Sequence, residues 1–166
     1  MTALRIQYPI ATARLQLTPF TAGDGDALYA LESDPVVKRF GGGTLNRVQS
    51  DQLLQRFITQ VVESGFGAVA IKQKATTQII GLCGLYREEH EAELFFGLAR
   101  QAWGQGFATE ACQGLIAAAF QQTALQRIIA NVDRQNPRSS RVLERLGLRQ
   151  CTSDDSSSLL IYELTR

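Results

Sequence analysis

The sequence predicts an α+β protein, a single mixed, mostly antiparallel sheet with helices on both faces. Three observations lead there. The short apolar runs "FGAVAIKQ" (66–73), "QIIGLCGLY" (78–86) and "AELFFGLA" (92–99) follow one another across polar turns, the pattern of an antiparallel meander. Segments with apolar residues at helical spacing lie before and after that meander. Finally, "AELFFGLA" leads through a long helical stretch into "LQRIIANV" (125–132), a strand–helix–strand unit whose two strands can lie parallel and adjacent.

Taken in order, "ARLQLTPF" (13–20) alternates apolar and polar residues and reads as a half-buried strand. Thr21 to Asp24 has the form of a capping box, with Leu28 and Leu31 opening an apolar face. That helix stops near Ser33, because Pro35 disfavours helix in the residue before it. "FGGGT" (40–44) is a turn. Leu53, Leu54, Phe57, Ile58, Val61 and Val62 then define a helix over 48–63, with Asn46 as its cap and Gly65 as its stop. The meander turns on "KATT" (74–77) and "REEHE" (87–91). A helix over 106–122 places Ala108, Ala111, Cys112, Leu115, Ala118 and Ala119 on one face. "NPRSSRVLERLG" (136–147) is a short helix with Asn136 at the N-cap, Pro137 in the first turn and Gly147 at the stop. "LRQCT" (148–152) and "LLIYEL" (159–164) close the fold as a strand pair around the polar loop "SDDSSS" (153–158).

A length of 166 residues fits one domain spanning 1–166. Hydrophobic residues at 45% and charged residues at 20% are those of a globular protein. A net charge of +1 argues against a nucleic-acid or membrane partner. The arginines are unevenly spread, with six of 14 between Arg127 and Arg149. Cys83, Cys112 and Cys151 form no disulfide framework and, with a single histidine, no metal centre is expected. The first residues contain no continuous apolar stretch and no run approaches the ~20 residues of a membrane span, so a cytoplasmic protein is expected.

Chemistry concentrates in "RQAWGQGFATEA" (100–111), which sits between an apolar strand and a helix start. A helix N-terminus presents unpaired N–H groups and the positive end of the dipole, and glycine lets an anion reach the backbone. The stretch lacks the lysine of a P-loop and the third glycine of a dinucleotide fingerprint. From the residues alone, two readings stand: a tight turn with Trp103 packed on the core, or an anion cradle.

The wider sequence resembles a family. Gln101-x-x-Gly104-x-Gly106 after an apolar strand resembles the acyl-CoA-binding motif of the GNAT superfamily of N-acyltransferases. "WGQGFATEA" is similar to the form found in its ribosomal-protein alanine N-acetyltransferase branch. "NPRSSRVLERLGLR" resembles that branch's N-x-x-S-x-x-x-x-E-[KR]-x-G-[FL] helix, "ATARLQLTPF" its first strand and "DPVVKRF" the segment after its first helix. "FGLARQAW" departs mildly, lacking the usual polar turn residues before the motif.

The resemblance implies a GNAT fold whose sheet splays into a V between "AELFFGLA" and "LQRIIANV", with acetyl-CoA as co-substrate and no metal. The pantetheine arm would bond to the main chain of Phe96, Gly97, Leu98 and Ala99, with an N–H near Leu98 facing the thioester carbonyl. The pyrophosphate would rest on the turn formed by Gln101, Trp103, Gly104, Gln105, Gly106, Phe107 and Ala108, with Thr109 alongside. Ser139 would protonate the departing thiolate and Asn136 would orient the pantetheine or a water; an Asn cap followed by Ser is also ordinary helix-start chemistry. Glu93 is the candidate base, since burial among apolar residues raises a carboxylate's pKa; a structural carboxylate paired with arginine and a water chain are the other readings. His90, in a hairpin turn, is solvated or stands at the amine entrance. Arg138, Arg141 and Arg145 form a stripe from which one guanidinium, with Arg138 the nominee, would hold a CoA phosphate. Arg39, Phe40 and the glycines after them would border the acceptor site. Cys83 and Cys112 are core residues. The acceptor would be an amine, either a protein N-terminus or a small molecule, and the protein a monomer or homodimer. A non-catalytic acyl-CoA-binding module and a nucleotide-binding protein of another fold remain as alternatives.

Overall fold

The computed structural model describes residues 5–151 and 156–166. The strands are β1 (Ile10–Ala11), β2 (Leu15–Pro19), β3 (Gly67–Gln73), β4 (Ile79–Glu88), β5 (Glu91–Leu98), β6 (Arg127–Asp133), β7 (Arg149–Gln150) and β8 (Leu159–Thr165). Among the described residues they form one sheet in the order β1-β2-β3-β4-β5-β6-β8-β7. Every neighbouring pair is antiparallel except β5–β6. The helices are α1 (Gly25–Glu32), α2 (Arg47–Ser64), α3 (Phe107–Gln122) and α4 (Pro137–Arg145).

The period of two in the strands divides the core into two layers. On one face Ala68, Ala70 and Leu82 pack with Leu28 and Leu31 of α1 and with Leu54 and Phe57 of α2. On the other, Leu17, Val69, Ile71, Cys83, Leu85 and Leu94 meet Ala111, Cys112, Leu115 and Ala119 of α3 and Leu143 of α4. Small residues in β4 allow close packing. A Cβ on Gly84 would lie 2.3 Å from Phe95 Cζ and 2.5 Å from the Gly67 carbonyl oxygen, so the Phe95 ring occupies the space that the glycine leaves.

The helix ends follow their caps. The Asn46 side chain accepts from the Gln49 N–H, and Gly65 ends α2 at φ 76°. The Thr21–Asp24 capping box opens a single 3-10 turn that runs into α1, and Ser33 closes that helix. One expectation changes. The turn expected over 87–91 is tighter: β4 extends to Glu88 and β5 begins at Glu91, with Glu89 taking φ 53° between them. The last strands pair as expected, β7 with β8; β8 also pairs with β6 along its length, which leaves β7 at the edge. Strand β1 was not foreseen, being only two residues long. Thr152 of the expected strand and residues 153–155 of the expected loop lie outside the described residues.

The feature that positions the site is the β5–β6 pair. It runs parallel for three residues only, Glu91 with Arg127, Ala92 with Ile128 and Glu93 with Ile129. Beyond that, β5 stays with β4 as far as Leu98 and β6 stays with β8 as far as Asp133. Each strand follows its antiparallel neighbour, the slightly more stable pairing, and a wedge opens between them. No helix among the described residues is long and apolar enough to cross a membrane.

Candidate active site

One wall of the wedge is main chain that no strand pairs with among the described residues. The Ala99 N–H donates to the Ile80 carbonyl at 2.9 Å, which fixes the phase of the β4–β5 ladder. With Gly97 opposite Leu82 and Phe95 opposite Gly84, alternation commits Gly97, Phe95 and Glu93 to β4. Phe96 and Leu98 therefore turn their main-chain groups toward β6, where the parallel ladder has already ended. Of the four residues expected to bond a pantetheine arm, these two face the wedge. Gly97 and Ala99 direct theirs to β4, a distinction set by register. A Cβ on Gly97 would meet nothing within 4 Å.

At the end of β5 the chain makes one 3-10 turn, Arg100–Ala102, and then the glycine turn. Gly104 and Gly106 take φ of 72° and 80°, the left-handed region that favours glycine. Gly106 is the N-cap of α3 and supplies no side-chain cap, so the N–H groups of Phe107, Ala108 and Thr109 open the helix without one. Gln105 donates to the Gln101 carbonyl at 2.9 Å and closes the loop on itself. The turn is thus an exposed row of amide donors at the positive end of a 16-residue helix. Such a helix start is one that an anion can approach. Gly104→Ala is expected to cost about 1 kcal/mol of stability through the positive φ alone, since nothing lies within 4 Å of its Cβ position. Chemical denaturation would show this as a lower midpoint at unchanged slope.

Trp103 ties three parts together. Its indole N–H donates to the Leu98 carbonyl at 2.8 Å, fastening the turn to the end of β5. The Arg138 guanidinium lies over its ring at 4.8 Å. The first turn of α4 is thereby held beside the glycine turn, and of the arginine stripe it is Arg138 that the structure brings there. Arg141 and Arg145 stand exposed. Within α4 the Asn136 side chain works in both directions: its Oδ1 accepts the Ser139 N–H at 3.3 Å, and its Nδ2 donates to Ser139 Oγ at 3.0 Å. Because Ser139 Oγ is the acceptor in that second bond, its own hydroxyl proton is directed elsewhere.

Glu93 lies on the opposite face of the sheet from α3. It is half-buried, and its Oε1 accepts from Asn131 Nδ2 at 3.0 Å across the mouth of the wedge. Its partner is therefore an amide rather than an arginine. His90 is exposed at the tip of the β4–β5 turn, where its carbonyl accepts the Gln126 N–H. The Arg39 guanidinium lies 5.2 Å from the Phe40 ring centre, and Phe40 is 37% exposed. Cys83 and Cys112 are wholly buried. Burial pushes the Cys83 thiol up to about 12 and the Cys112 thiol well above its usual range, so neither offers a thiolate at neutral pH.

Two residues that sequence reasoning passed over brace the turn, Arg14 in the β1–β2 hairpin and Glu110 in α3. Arg14 donates from Nη1 to the Gln105 carbonyl at 2.9 Å, pairs with Glu110 at 2.7 Å and lies 4.3 Å over the Phe107 ring. Glu110 also accepts from the Thr12 hydroxyl at 2.6 Å and the Arg14 N–H at 2.7 Å. Burial alone would raise the Glu110 carboxyl; these hydrogen bonds and the guanidinium outweigh it and hold the group below the usual carboxylate range. On the other side, Asp34 accepts from Arg100 at 2.8 Å and ties the loop after α1 to the end of β5. The available signal was the "ATE" after the glycines, which puts an acid in the first turn of the helix.

Known proteins agree with this geometry. The family described as "Acetyltransferase (GNAT) domain" matches residues 14–149. The chain is 33% identical over 144 residues to an uncharacterized N-acetyltransferase, p20, of Bacillus licheniformis, covering 84% of this chain and 81% of that one. An acetyltransferase structure from Agrobacterium tumefaciens superposes with a TM-score of 0.84 at 25% identity, over 96% of this chain and 95% of that one. The microcin C7 self-immunity acetyltransferase MccE, solved with acetyl-CoA and AMP, shares the fold at a TM-score of 0.78 and 17% identity, over 93% of both chains. With the splayed sheet, the bare helix terminus and a family match that spans most of its length, this chain belongs to the GNAT family and is an acyl-CoA-dependent acetyltransferase.

Proposed function

We propose that the enzyme transfers the acetyl group of acetyl-CoA directly to a primary amine, and that it is an N-acetyltransferase of the branch acting on protein N-terminal α-amines. The observation that carries this reading is the meeting of the ladder-free edge at Phe96 and Leu98 with the uncapped start of α3. One surface binds an extended amide-bearing arm and the other a phosphate. The motif "WGQGFATEA" and the Asn136–Ser139 pair support the branch.

When bound, acetyl-CoA supplies a thioester carbonyl open to attack by an amine. The protein's part is placement, proton handling and charge stabilisation. The amide row from Gln101 to Thr109, with Arg138 beside Trp103, holds the phosphates. Phe96 bonds the arm as an added strand would. The Leu98 N–H donates to the carbonyl oxygen as negative charge grows on it, an interaction of about 3 kcal/mol in comparable sites. Glu93 takes a proton from the acceptor, with Asn131 steering its carboxylate. The new C–N bond forms as the C–S bond breaks; the Ser139 hydroxyl, its oxygen fixed by Asn136, hands its proton to the departing sulfur and regains one through solvent, to which the nitrogen loses its second proton. Holding two substrates in line supplies much of the remaining rate.

The direct test is thiol release from acetyl-CoA over a panel of N-terminal peptides and small amines, with the acetylated amine identified by mass. CoA is expected to raise the melting temperature while ATP and NAD leave it unchanged. Protection by ATP or NAD without CoA would overturn the cradle. Tight CoA binding without thiol release for any amine would overturn the transfer.

A further inference from the structure

The face of the sheet that carries Glu93 also carries an aromatic shelf. Tyr86 is the residue opposite Glu93 in the β4–β5 pairing, so the two side chains share a side. Tyr86 stacks on Phe95 with ring centres 4.3 Å apart and planes 16° from parallel. Phe95 in turn lies in the space left by Gly84. The shelf is thus fixed from beneath, yet Tyr86 remains 42% exposed. An open groove of about 420 Å³ has Tyr86 in its wall, with Gln60, Ser64, Phe66 and Arg87. Across the wedge, Ile161 stands opposite Asn131 in the β6–β8 ladder and is 40% exposed.

The charges on this side are distributed unevenly. Glu91 and Glu163 are both held by Arg127, at 2.9 and 2.6 Å. Glu32 is held by Lys38 at 2.7 Å. Glu93 belongs to no ion pair among the described residues and is met by the neutral Asn131 amide. A half-buried carboxylate in no ion pair, beside an exposed aromatic face that the Arg56 charge also reaches, is what an ammonium with an apolar substituent recognises. The charge meets the carboxylate and the substituent covers the free face of the ring.

Resting on the acetyl-transfer reading, we propose that the acceptor is a primary amine bearing an aromatic or large apolar group close to its nitrogen. The ammonium is captured by Glu93 and the apolar group lies on Tyr86 and in the groove beside it. A peptide beginning with Phe or Leu and a free arylalkylamine share that chemistry. This departs from an alanine-terminated acceptor, whose methyl group would leave the shelf bare.

The experiment has two arms. Steady-state kinetics would use peptide amides identical but for a first residue of Asp, Gly, Ala, Leu or Phe, together with phenethylamine and ethylamine. The expected result is a kcat/KM about tenfold or more higher for Phe than for Ala, of the size that added apolar contacts give. The Phe peptide outrunning phenethylamine identifies a peptide source, and the reverse a small molecule. Tyr86→Ala should collapse the Phe-to-Ala ratio toward one, and Tyr86→Phe should keep it. The second arm measures by calorimetry the binding of the Phe peptide and of phenethylamine in the presence of CoA, to wild type and Tyr86→Ala. Equal efficiency for Ala and Phe peptides, or an equal loss for all acceptors in Tyr86→Ala, overturns the proposal. Should no amine release thiol, the acetyl-transfer reading falls, and calorimetry alone decides the shelf: lack of preference for the aromatic amines overturns it.

Discussion

Replacing Ser139 by alanine is expected to lower kcat about 100-fold while the KM for acetyl-CoA moves less than about twofold. The contacts make this a clean substitution. The N-cap bond of α4 runs from the Ser139 backbone N–H to Asn136 Oδ1, and alanine retains it. What is lost is the hydroxyl, which accepts from Asn136 Nδ2 and sends its own proton elsewhere. A group that delivers a proton only as the sulfur leaves acts in the transition state, so its loss falls on kcat and not on donor binding. Two comparisons sharpen the assignment. A thioester whose thiol is more acidic needs less proton assistance and should recover part of the loss. Asn136→Ala should reduce kcat and also destabilise the helix start by about 1 kcal/mol, because it removes the cap itself. A Ser139→Ala enzyme with an unchanged rate would assign the proton to water and reduce Ser139 to helix-start chemistry.

Much of the fold was legible because its determinants are local. Asn46 and Gly65 bracket α2 through a side-chain bond and a positive φ, both of which the residue types announce. The Ala68, Val69, Ala70, Ile71 run alternates between two helical layers, and a run apolar on both faces is what a covered strand requires. What escaped depends on pairing at a distance. The two-residue β1 has too short a pattern to register, and it exists through its ladder to β2. The position of β8 between β6 and β7 is a matter of topology that no local signal encodes.

The site divides in the same way. Glycine at positive φ before a helix is a property of residue type and order, so Gly104 and Gly106 stood out. The phase of the β4–β5 ladder is not such a property. It separates Phe96 and Leu98, which face the wedge, from Gly97 and Ala99, which face β4. The Trp103 indole had no chemical role on sequence grounds. Its place is defined by a carbonyl five residues back and a guanidinium on another helix. Arg14 is 96 residues from Glu110, beyond the reach of any window.

That distant pair carries the second large effect. Glu110→Ala is expected to cost about 2 kcal/mol, since a charged acceptor loses three donors at once and partial exposure discounts each bond. It should also raise the KM for acetyl-CoA several-fold with kcat little changed, because Arg14 loses the partner that aims it at the Gln105 carbonyl. Arg14→Ala should have the same kinetic signature. The double variant should fall short of the sum by about 1 kcal/mol, as expected for residues in one network. The pH dependence gives the sign independently. The Glu110 carboxyl is depressed in the fold, so its contribution is full above the ordinary carboxylate pKa and is lost as pH falls through the lower folded value. Wild type should therefore lose more stability than Glu110→Ala when urea midpoints are compared at pH 7 and at pH 3. An equal loss in the two would mean that the bonds of Thr12 and Arg14 do not favour the ionised carboxyl. Above that range the brace serves the proposed cradle: an ionised acid in the first turn of α3 would oppose a bound phosphate, and the Arg14 guanidinium neutralises it while its Nη1 bonds the Gln105 carbonyl.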